Sequence, residues 1–487
     1  MKYATLGLAK AGIDLVPPFS VDVRLDPVLV ELAGDISAGD PPREVLDDSP
    51  TPLEFVVVNR VLPGRRLSGL VQDLTGARYF AKVFYGRGAR RYWLRELHGA
   101  KTLAASKVQT PTLVNQGATA DGEGYVVLYQ AVEETCTLDM TNVQQWQSAV
   151  AQLARLHEQR VVHEDPHADN FLWQDGKVWI IDADGVRPGK NLRAQFNNLG
   201  TFLAQRAPIY DQEIEALLMI YLQFRDASIS GKLSATDLLG YTRRQRRLRV
   251  NRYLKKTQRT CTEFLRKKVW RREFICQRSA WSDLQRFMWF PEEYLGDGTP
   301  LKLGNSATVV RVRIDQSTYI VKRYNVKSLS HRIRRWFKRR ARLSWINGHH
   351  LDFLDIATAK PVALLELKWG WFVGTCYLVM PDVGDVALPE VDVSEAAVFD
   401  QICGDVIELL KQLKAAQLEH GDLKATNLMY GRSARSNHLT LIDYDGLKSM
   451  SHDDQHRNRD TQRFLDNWVD DADVHRRWNE ALQEAGL

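Results

Sequence analysis

Two segments of this 487-residue chain share a layout that chance explains poorly. The first reads Val161-Val-His-Glu-Asp-Pro-His-Ala-Asp-Asn170, followed by the apolar run Lys177-Val-Trp-Ile-Ile and then Asp182-Ala-Asp-Gly185. The second reads Leu418-Glu-His-Gly-Asp-Leu-Lys-Ala-Thr-Asn427, followed by His438-Leu-Thr-Leu-Ile and Asp443-Tyr-Asp-Gly446. In each copy an Asp precedes an Asn by five positions, and a further Asp closes a short apolar strand. Such a repeat predicts two copies of one architectural unit, each with its own core.

The elements around the copies repeat as well. Before each lies an amphipathic helix, with Trp146, Val150, Leu153 and Leu156 on one face of the first and Val398, Ile402, Val406, Leu409 and Leu413 on one face of the second. Those apolar residues are core packing; the helices act as platforms that end where the His-x-Asp loops begin. Further upstream, each half has a β-rich stretch centred on a lysine, Arg78-Tyr-Phe-Ala-Lys82-Val-Phe and Thr318-Tyr-Ile-Val-Lys322-Arg-Tyr. A lone strand lysine is usually a solvent-facing residue, but two at corresponding points of a repeated order point to chemistry. The strands Gly124–Gln130 and Thr375–Met380 are expected to lead from a small β lobe into a larger helical lobe.

Phosphoryl transfer needs a lysine on nucleotide phosphates, oxygen ligands for Mg²⁺, and an Asp that accepts the proton of the acceptor hydroxyl. Both halves carry that set. In the first the roles fall to Lys82 for the phosphates, Asp165 for the hydroxyl, and Asn170 with Asp182 for the metal; in the second, to Lys322, Asp422, Asn427 and Asp443. Asn and Asp oxygens suit Mg²⁺, which shares the rest of its shell with water and phosphate. His163 and His420 belong to no ligand-spaced cluster, so loop support is the better reading than zinc binding.

The order strand Lys, His-x-Asp-x-x-x-x-Asn, Ile-Asp-x-Asp resembles the protein-kinase-like superfamily over most of both halves. Ile-Asp-x-Asp, Leu343-Ser-Trp-Ile-Asn347, Ile356-Ala-Thr-Ala-Lys-Pro-Val-Ala-Leu-Leu-Glu366 and Arg459-Asp-Thr-Gln-Arg-Phe-Leu-Asp-Asn-Trp468 are similar to the lipopolysaccharide kinases of the Kdo/WaaP type. The resemblance implies an α+β fold of two tandem kinase-like bilobal domains, each with a small β-rich N-lobe and a helical C-lobe. It implies ATP and Mg²⁺ as cofactors, and a heptose or Kdo of the lipopolysaccharide core, or another lipid-linked sugar, as acceptor at the inner membrane face. It also supplies Glu96 as the ion-pair partner of Lys82. No counterpart is evident for Lys322, since the match of Gln109-Thr-Pro111 to Ala357-Thr-Ala359 sets Ser344 opposite Glu96. The halves differ too in His167 against Lys424, and neither Leu62–Arg66 nor Leu303–Ala307 carries the several glycines of a phosphate loop. A pseudokinase scaffold, and a small-molecule or protein kinase of another branch, stand as the alternatives.

Composition bounds the rest. With 44% hydrophobic residues and no apolar run of about 18 residues, the chain reads as a globular protein with no membrane span, and no secretory leader is evident, so a cytoplasmic location is expected, with peripheral membrane contact allowed by the resemblance. Its five cysteines form no Cys-x-x-Cys pair and are expected to be reduced and mostly buried. Net charge is only +6, yet Glu263 and Glu273 are the only acids between Arg243 and Arg278. This run, and the aromatic-laced His331–Arg342, are either solvated helical surface or docking sites for something anionic; no nucleic-acid recognition motif accompanies them. The expected organisation is an extension over 1–50, a first domain over 51–285 that includes the basic segment 243–278, and a second domain over 286–487.

Overall fold

The computed structural model describes residues 19–25, 50–304, 306–325, 339–369, 372–383, 386–431, 439–450 and 459–487. Two compact units divide it: Met1–Arg206 with Gln212–Gln245, and Ala207–Asp211 with Arg246–Leu487.

In the first unit, strands β1 (Phe19–Leu25), β2 (Thr51–Leu62), β3 (Arg66–Gln72), β4 (Arg78–Tyr85), β5 (Leu113–Thr119) and β6 (Gly124–Gln130) close a barrel in the order β1-β2-β3-β4-β6-β5. Helix α1 (Ala89–Ala105) is inserted between β4 and β5. The two-residue period of β4 sorts its side chains. Ala81, Val83 and Tyr85 fill the barrel, while Phe80 and Phe84 join the core of the following helices, and Lys82 shares their face. That second core is built on α2 (Val143–Glu158), α3 (Leu192–Leu203) and α4 (Ile214–Gln223). The carboxamide oxygen of Asn142 accepts from the backbone N–H groups of Gln144 and Gln145 and caps α2. As expected, Trp146, Val150, Leu153 and Leu156 are fully buried, each removal from water being worth roughly 1.5–3 kcal/mol.

The second unit repeats the plan with an open sheet. Its strands are β12 (Phe264–Val269), β13 (Arg272–Gln277), β14 (Thr299–Leu303), β15 (Ala307–Ile314), β16 (Ser317–Tyr324), β17 (Ala363–Trp369) and β18 (Phe372–Pro381), ordered β12-β13-β17-β18-β16-β15-β14. β7 to β11, in the first unit, are the short pairings Cys136–Thr137, Val161–His163, Phe171–Gln174, Lys177–Ile180 and Val186–Pro188. Helix α5 (Ala235–Lys256) holds the division between the units, and α6 (Arg340–Phe353) follows β16 as α1 follows β4. In β16, Tyr319 and Val321 line one core while Ile320 and Tyr324 pack into the other, so Lys322 again lies on the face toward the helices. Those helices are α7 (Ala396–Ala415), α8 (Arg459–Leu465) and α9 (Ala472–Glu484).

Two sequence expectations are corrected. Residues 19–25, expected in a loose extension, form β1 and close the barrel by pairing with β2 and β5, with Val21 and Val23 buried; the remainder of 1–49 lies outside the described residues. The basic segment does not close the first helical core, and the division falls at Gln245/Arg246 instead of 285/286. The reason is pairing: β13 zips onto β17 from Arg272↔Leu367 to Cys276↔Ala363 and buries Phe274 and Ile275 in the second unit's two cores. β1 beside β5 and β13 beside β17 take the same place in the strand order, so the structural repeat begins earlier than the lysine strands.

Much of the basic segment is used internally. Arg246 forms a bidentate pair with Asp211 at 2.7 and 2.9 Å, Arg266 pairs with buried Glu273, and Arg272 donates to the carbonyls of Met288 and Trp289. Arg342 completes a buried cluster, reaching Glu273 at 3.0 Å and Glu366 at 2.6 Å while Lys368 also holds Glu273. All but the last four residues of the His331–Arg342 run lie outside the described residues. Cys276, Cys376 and Cys403 are buried, Cys261 is half-buried and Cys136 is exposed, all as free thiols. No described helix is long and apolar enough to cross a membrane.

Candidate active sites

In the first unit, Lys82 Nζ lies 2.7 Å from Glu96 Oε1 and 3.0 Å from Asp182 Oδ1. The strand brings the lysine, α1 the glutamate, and the turn after β10 the aspartate. Burial alone would lower the Lys82 pKa, but Glu96 and then Asp182 outweigh it and raise the value, so the ammonium stays charged. Asp182 is pushed down to about 2, because Lys82 and Arg66 overcome the opposing effect of burial. Two contributors escaped the sequence reading. Tyr129 OH donates to Glu96 Oε1 at 2.7 Å, and Arg66, at the end of the Leu62–Arg66 turn, sets a second cation 3.6 Å from Asp182. Tyr129 lies opposite Phe80 in the β4–β6 register, two residues from Lys82 on the same face, which a pairing argument could have found.

The loop carrying Asp165 is closed by Asn170, whose Nδ2 donates to the Asp165 carbonyl at 2.9 Å. Asn170 is joined to the metal-binding candidate by the Ile181 N–H, which donates to the Asn170 carbonyl at 2.9 Å, one residue before Asp182. Asp182 has φ 66°, in the left-handed region, which Asp tolerates better than most residues and which concentrates at functional turns. His163 supports the loop as expected, with Nε2 2.9 Å from the Asp182 carbonyl. Asn198 donates to the His163 carbonyl and is itself held by His157, whose pKa burial lowers to about 3. Asp165 is exposed and, among the described residues, enters no ion pair; His167 turns instead to Asp169 at 3.1 Å.

The second unit reproduces the backbone and changes the charges. Asn427 Nδ2 donates to the Asp422 carbonyl at 3.0 Å, the Ile442 N–H donates to the Asn427 carbonyl at 2.9 Å, and Asp443 has φ 56°. His420 Nε2 is 3.3 Å from the Ile442 carbonyl, while the carboxylate of Asp460 accepts from the N–H groups of His420 and Gly421. Lys322 Nζ lies 2.6 Å from Asp443 and 3.3 Å from Asp445. Asp422 is bridged by Lys424 and Arg463, each at 3.1 Å, and these outweigh the opposing effect of burial to hold its pKa below the usual carboxylate value.

The donor sets fit a nucleotide with a hard divalent cation: an Asn amide and an Asp carboxylate joined through one backbone bond, beside a buried lysine. Among the described residues no group of three or more His, Cys, Asp and Glu could hold a metal ion.

Comparison with known proteins matches residues 297–485 to a model described as phosphotransferase enzyme family, and residues 116–211 to one described as lipopolysaccharide core biosynthesis protein (WaaY). No curated protein matches. Solved structures similar to parts of the chain include one described as WaaP in complex with acyl carrier protein, at 17% identity and TM-score 0.30, covering 39% of this chain and 87% of that one. Another is amicoumacin kinase hAmiN in complex with AMP-PNP, Ca²⁺ and Ami, at 14% identity and TM-score 0.30, covering 40% and 80%.

Proposed function

From a chain that belongs among the kinase-like phosphotransferases, matching the phosphotransferase enzyme family in its C-terminal part and the lipopolysaccharide core biosynthesis family in its N-terminal part, we propose a kinase of two tandem bilobal domains that phosphorylates a heptose or Kdo of the lipopolysaccharide core. The observation that carries the chemistry is buried Lys82 held between Glu96 and Asp182. Bound ATP and Mg²⁺ would supply the phosphoryl group and the charge neutralisation around it. Lys82 and Arg66 would hold nucleotide phosphates, Asn170 and Asp182 would hold the metal, and Glu96 with Tyr129 would keep the lysine aimed. Asp165, exposed on its clamped loop, would take the proton of an acceptor hydroxyl. Lys322, Asn427, Asp443 and Asp422 would do the same in the second domain.

An anionic acceptor has a surface to meet. At the β12–β13 turn, Lys268 and Arg271 flank Trp270, which is 81% exposed, and Arg272 stacks on Trp289 beside Phe290. Cations interleaved with exposed aromatic rings suit phosphorylated glycolipid at a membrane face. The pseudokinase reading draws on the second unit, where Lys322 has no glutamate partner from α6. Transfer of labelled phosphate from ATP to defined core oligosaccharides tests the proposal: labelled acceptor supports it, and nucleotide binding without transfer favours the scaffold.

A further inference from the structure

The second site has not merely lost the glutamate of the first; a different residue supplies the carboxylate. In each unit the helix after the lysine strand touches the turn between the two aspartates. A Cβ on Gly99 would lie 1.9 Å from the Ala183 carbonyl oxygen, and Asn347 Nδ2 donates to the Tyr444 carbonyl at 2.9 Å. Gly99 is three residues after Glu96 and Asn347 three after Ser344, which sets Ser344 where Glu96 stands. The partner changes in step. Lys82 pairs with Val127 across the sheet and Lys322 with Leu378, so Tyr129, which holds Glu96, corresponds to Met380. Two residues after the lysine the trade is reversed, with Phe84 in the first unit and Tyr324 in the second.

Asp445 gathers what these exchanges release. Its Oδ2 accepts from Lys322 at 3.3 Å and from Arg340 at 2.8 Å; its Oδ1 accepts from Tyr324 OH at 2.9 Å and from Ser344. Ser344 and Tyr324 are also 2.9 Å apart. The corresponding Asp184 of the first unit turns away from its lysine, pairing with Arg95 at 2.7 Å and with Arg65 at 3.9 Å. Asp352 is the one acid of α6, and it pairs with Lys360.

Resting on the nucleotide-binding reading of the second site, we infer that Asp445 is the positioning residue of Lys322, doing from the metal-loop turn what Glu96 does for Lys82 from a helix. Arg340, Ser344 and Tyr324 hold Asp445 in place. The lysine and the candidate metal ligand Asp443 are thereby fixed by a single turn, so the position of α6 matters only through its grip on Asp445.

The test is calorimetric titration of AMP-PNP with Mg²⁺ into the full-length Lys82→Ala chain, whose remaining binding reports the second site, with nucleotide-free melting measured alongside. Adding Asp445→Asn is expected to weaken affinity about 10-fold, the worth of one charge-assisted contact, with little change in nucleotide-free melting. In the reciprocal Lys322→Ala chain, Asp184→Asn is expected to leave first-site affinity within about 3-fold, since Asp184 does not touch Lys82. Unchanged affinity in the Asp445→Asn chain overturns the inference and leaves the nucleotide reading standing. A Lys82→Ala chain that binds no nucleotide overturns that reading at the second site, and the inference with it. If Asp445→Asn melts as an unfolded chain, Ser344→Ala and Tyr324→Phe are read in its place: weaker nucleotide binding supports the inference and unchanged binding overturns it.

Discussion

The two lysine sites share a backbone and differ in where their charges come from. In the first, the carboxylate beside the lysine rises from a helix, is fully buried, and is braced by a strand tyrosine. In the second it stands on the same turn as the candidate metal ligand, braced by an arginine, a serine and a tyrosine. The loops that carry the candidate bases differ in the opposite sense. Asp165 is free of ion pairs among the described residues, whereas Asp422 is clamped between Lys424 and Arg463. A carboxylate whose pKa is held down by two cations is a weaker proton acceptor, so on the proposed reading Asp422 is expected to be the poorer base of the two. A lysine motif and an Asp-to-Asn spacing are therefore insufficient to rank two sites; the neighbours of each charge decide.

The largest expected effect tests that ranking. Asp165→Asn should lower turnover on core acceptor by about 10²- to 10⁴-fold, and Asp422→Asn by less. Steady-state kinetics of the two variants decide it, and the reverse order would move catalysis to the second unit.

Glu96→Gln comes next, since it keeps the shape of a buried side chain while removing the charge that raises the Lys82 pKa. First-site nucleotide affinity, measured in the Lys322→Ala chain, should fall about 10-fold or more. Equal affinity in the two chains would break the comparison, because Lys82 would then need no helical carboxylate.

Acid stability tests the charge cluster of the second unit. Glu273 is pushed down to about 2 because Lys368 and Arg342 outweigh the opposing effect of burial. A depressed folded-state pKa gives stability that is present above the ordinary glutamate value and is lost as pH falls toward about 2. Wild-type melting temperature should therefore drop over that window, and Glu273→Gln should melt lower at neutral pH with a flatter acid limb. A variant whose melting tracks wild type at every pH would show that the Arg266, Arg342 and Lys368 cluster does not depend on this charge.

The smallest effect is at the β12–β13 turn, which has no counterpart beside β1 among the described residues. Lys268→Glu and Arg271→Glu should each weaken binding to anionic vesicles by on the order of 1 kcal/mol at low salt. The loss should shrink at physiological ionic strength, where the Debye length is about 8 Å. Co-sedimentation that ignores both substitutions would remove this turn from the acceptor surface.

How far the sequence reached can be read from particular residues. Period-two and period-3.6 patterns placed Lys82 and Lys322 on strands and the faces of α2 and α7 in the core, because burial of alternate or helically spaced side chains is a local consequence of geometry. The Asp-to-Asn spacing anticipated both clamped loops, since that hydrogen bond closes within five residues. Glu96 was legible through resemblance. Tyr129, Arg66 and Asp445 were not, because each meets its lysine site through a contact that only cross-strand register or a folded turn creates.

The sequence by itself determined the repeat, the candidate site residues named in each copy, and the apolar faces of α2 and α7; all follow from patterns contained in short segments. Tertiary structure decided which strand completes each sheet. Residues 19–25 and 264–277 show little in their composition of the partners they choose, since edge pairing is settled by the unpaired backbone groups of β5 and β17. It also decided that Lys322 meets Asp445, 123 positions away, as a second carboxylate beside Asp443, because an ion pair is selected by distance in space and burial, neither of which spacing along a chain records.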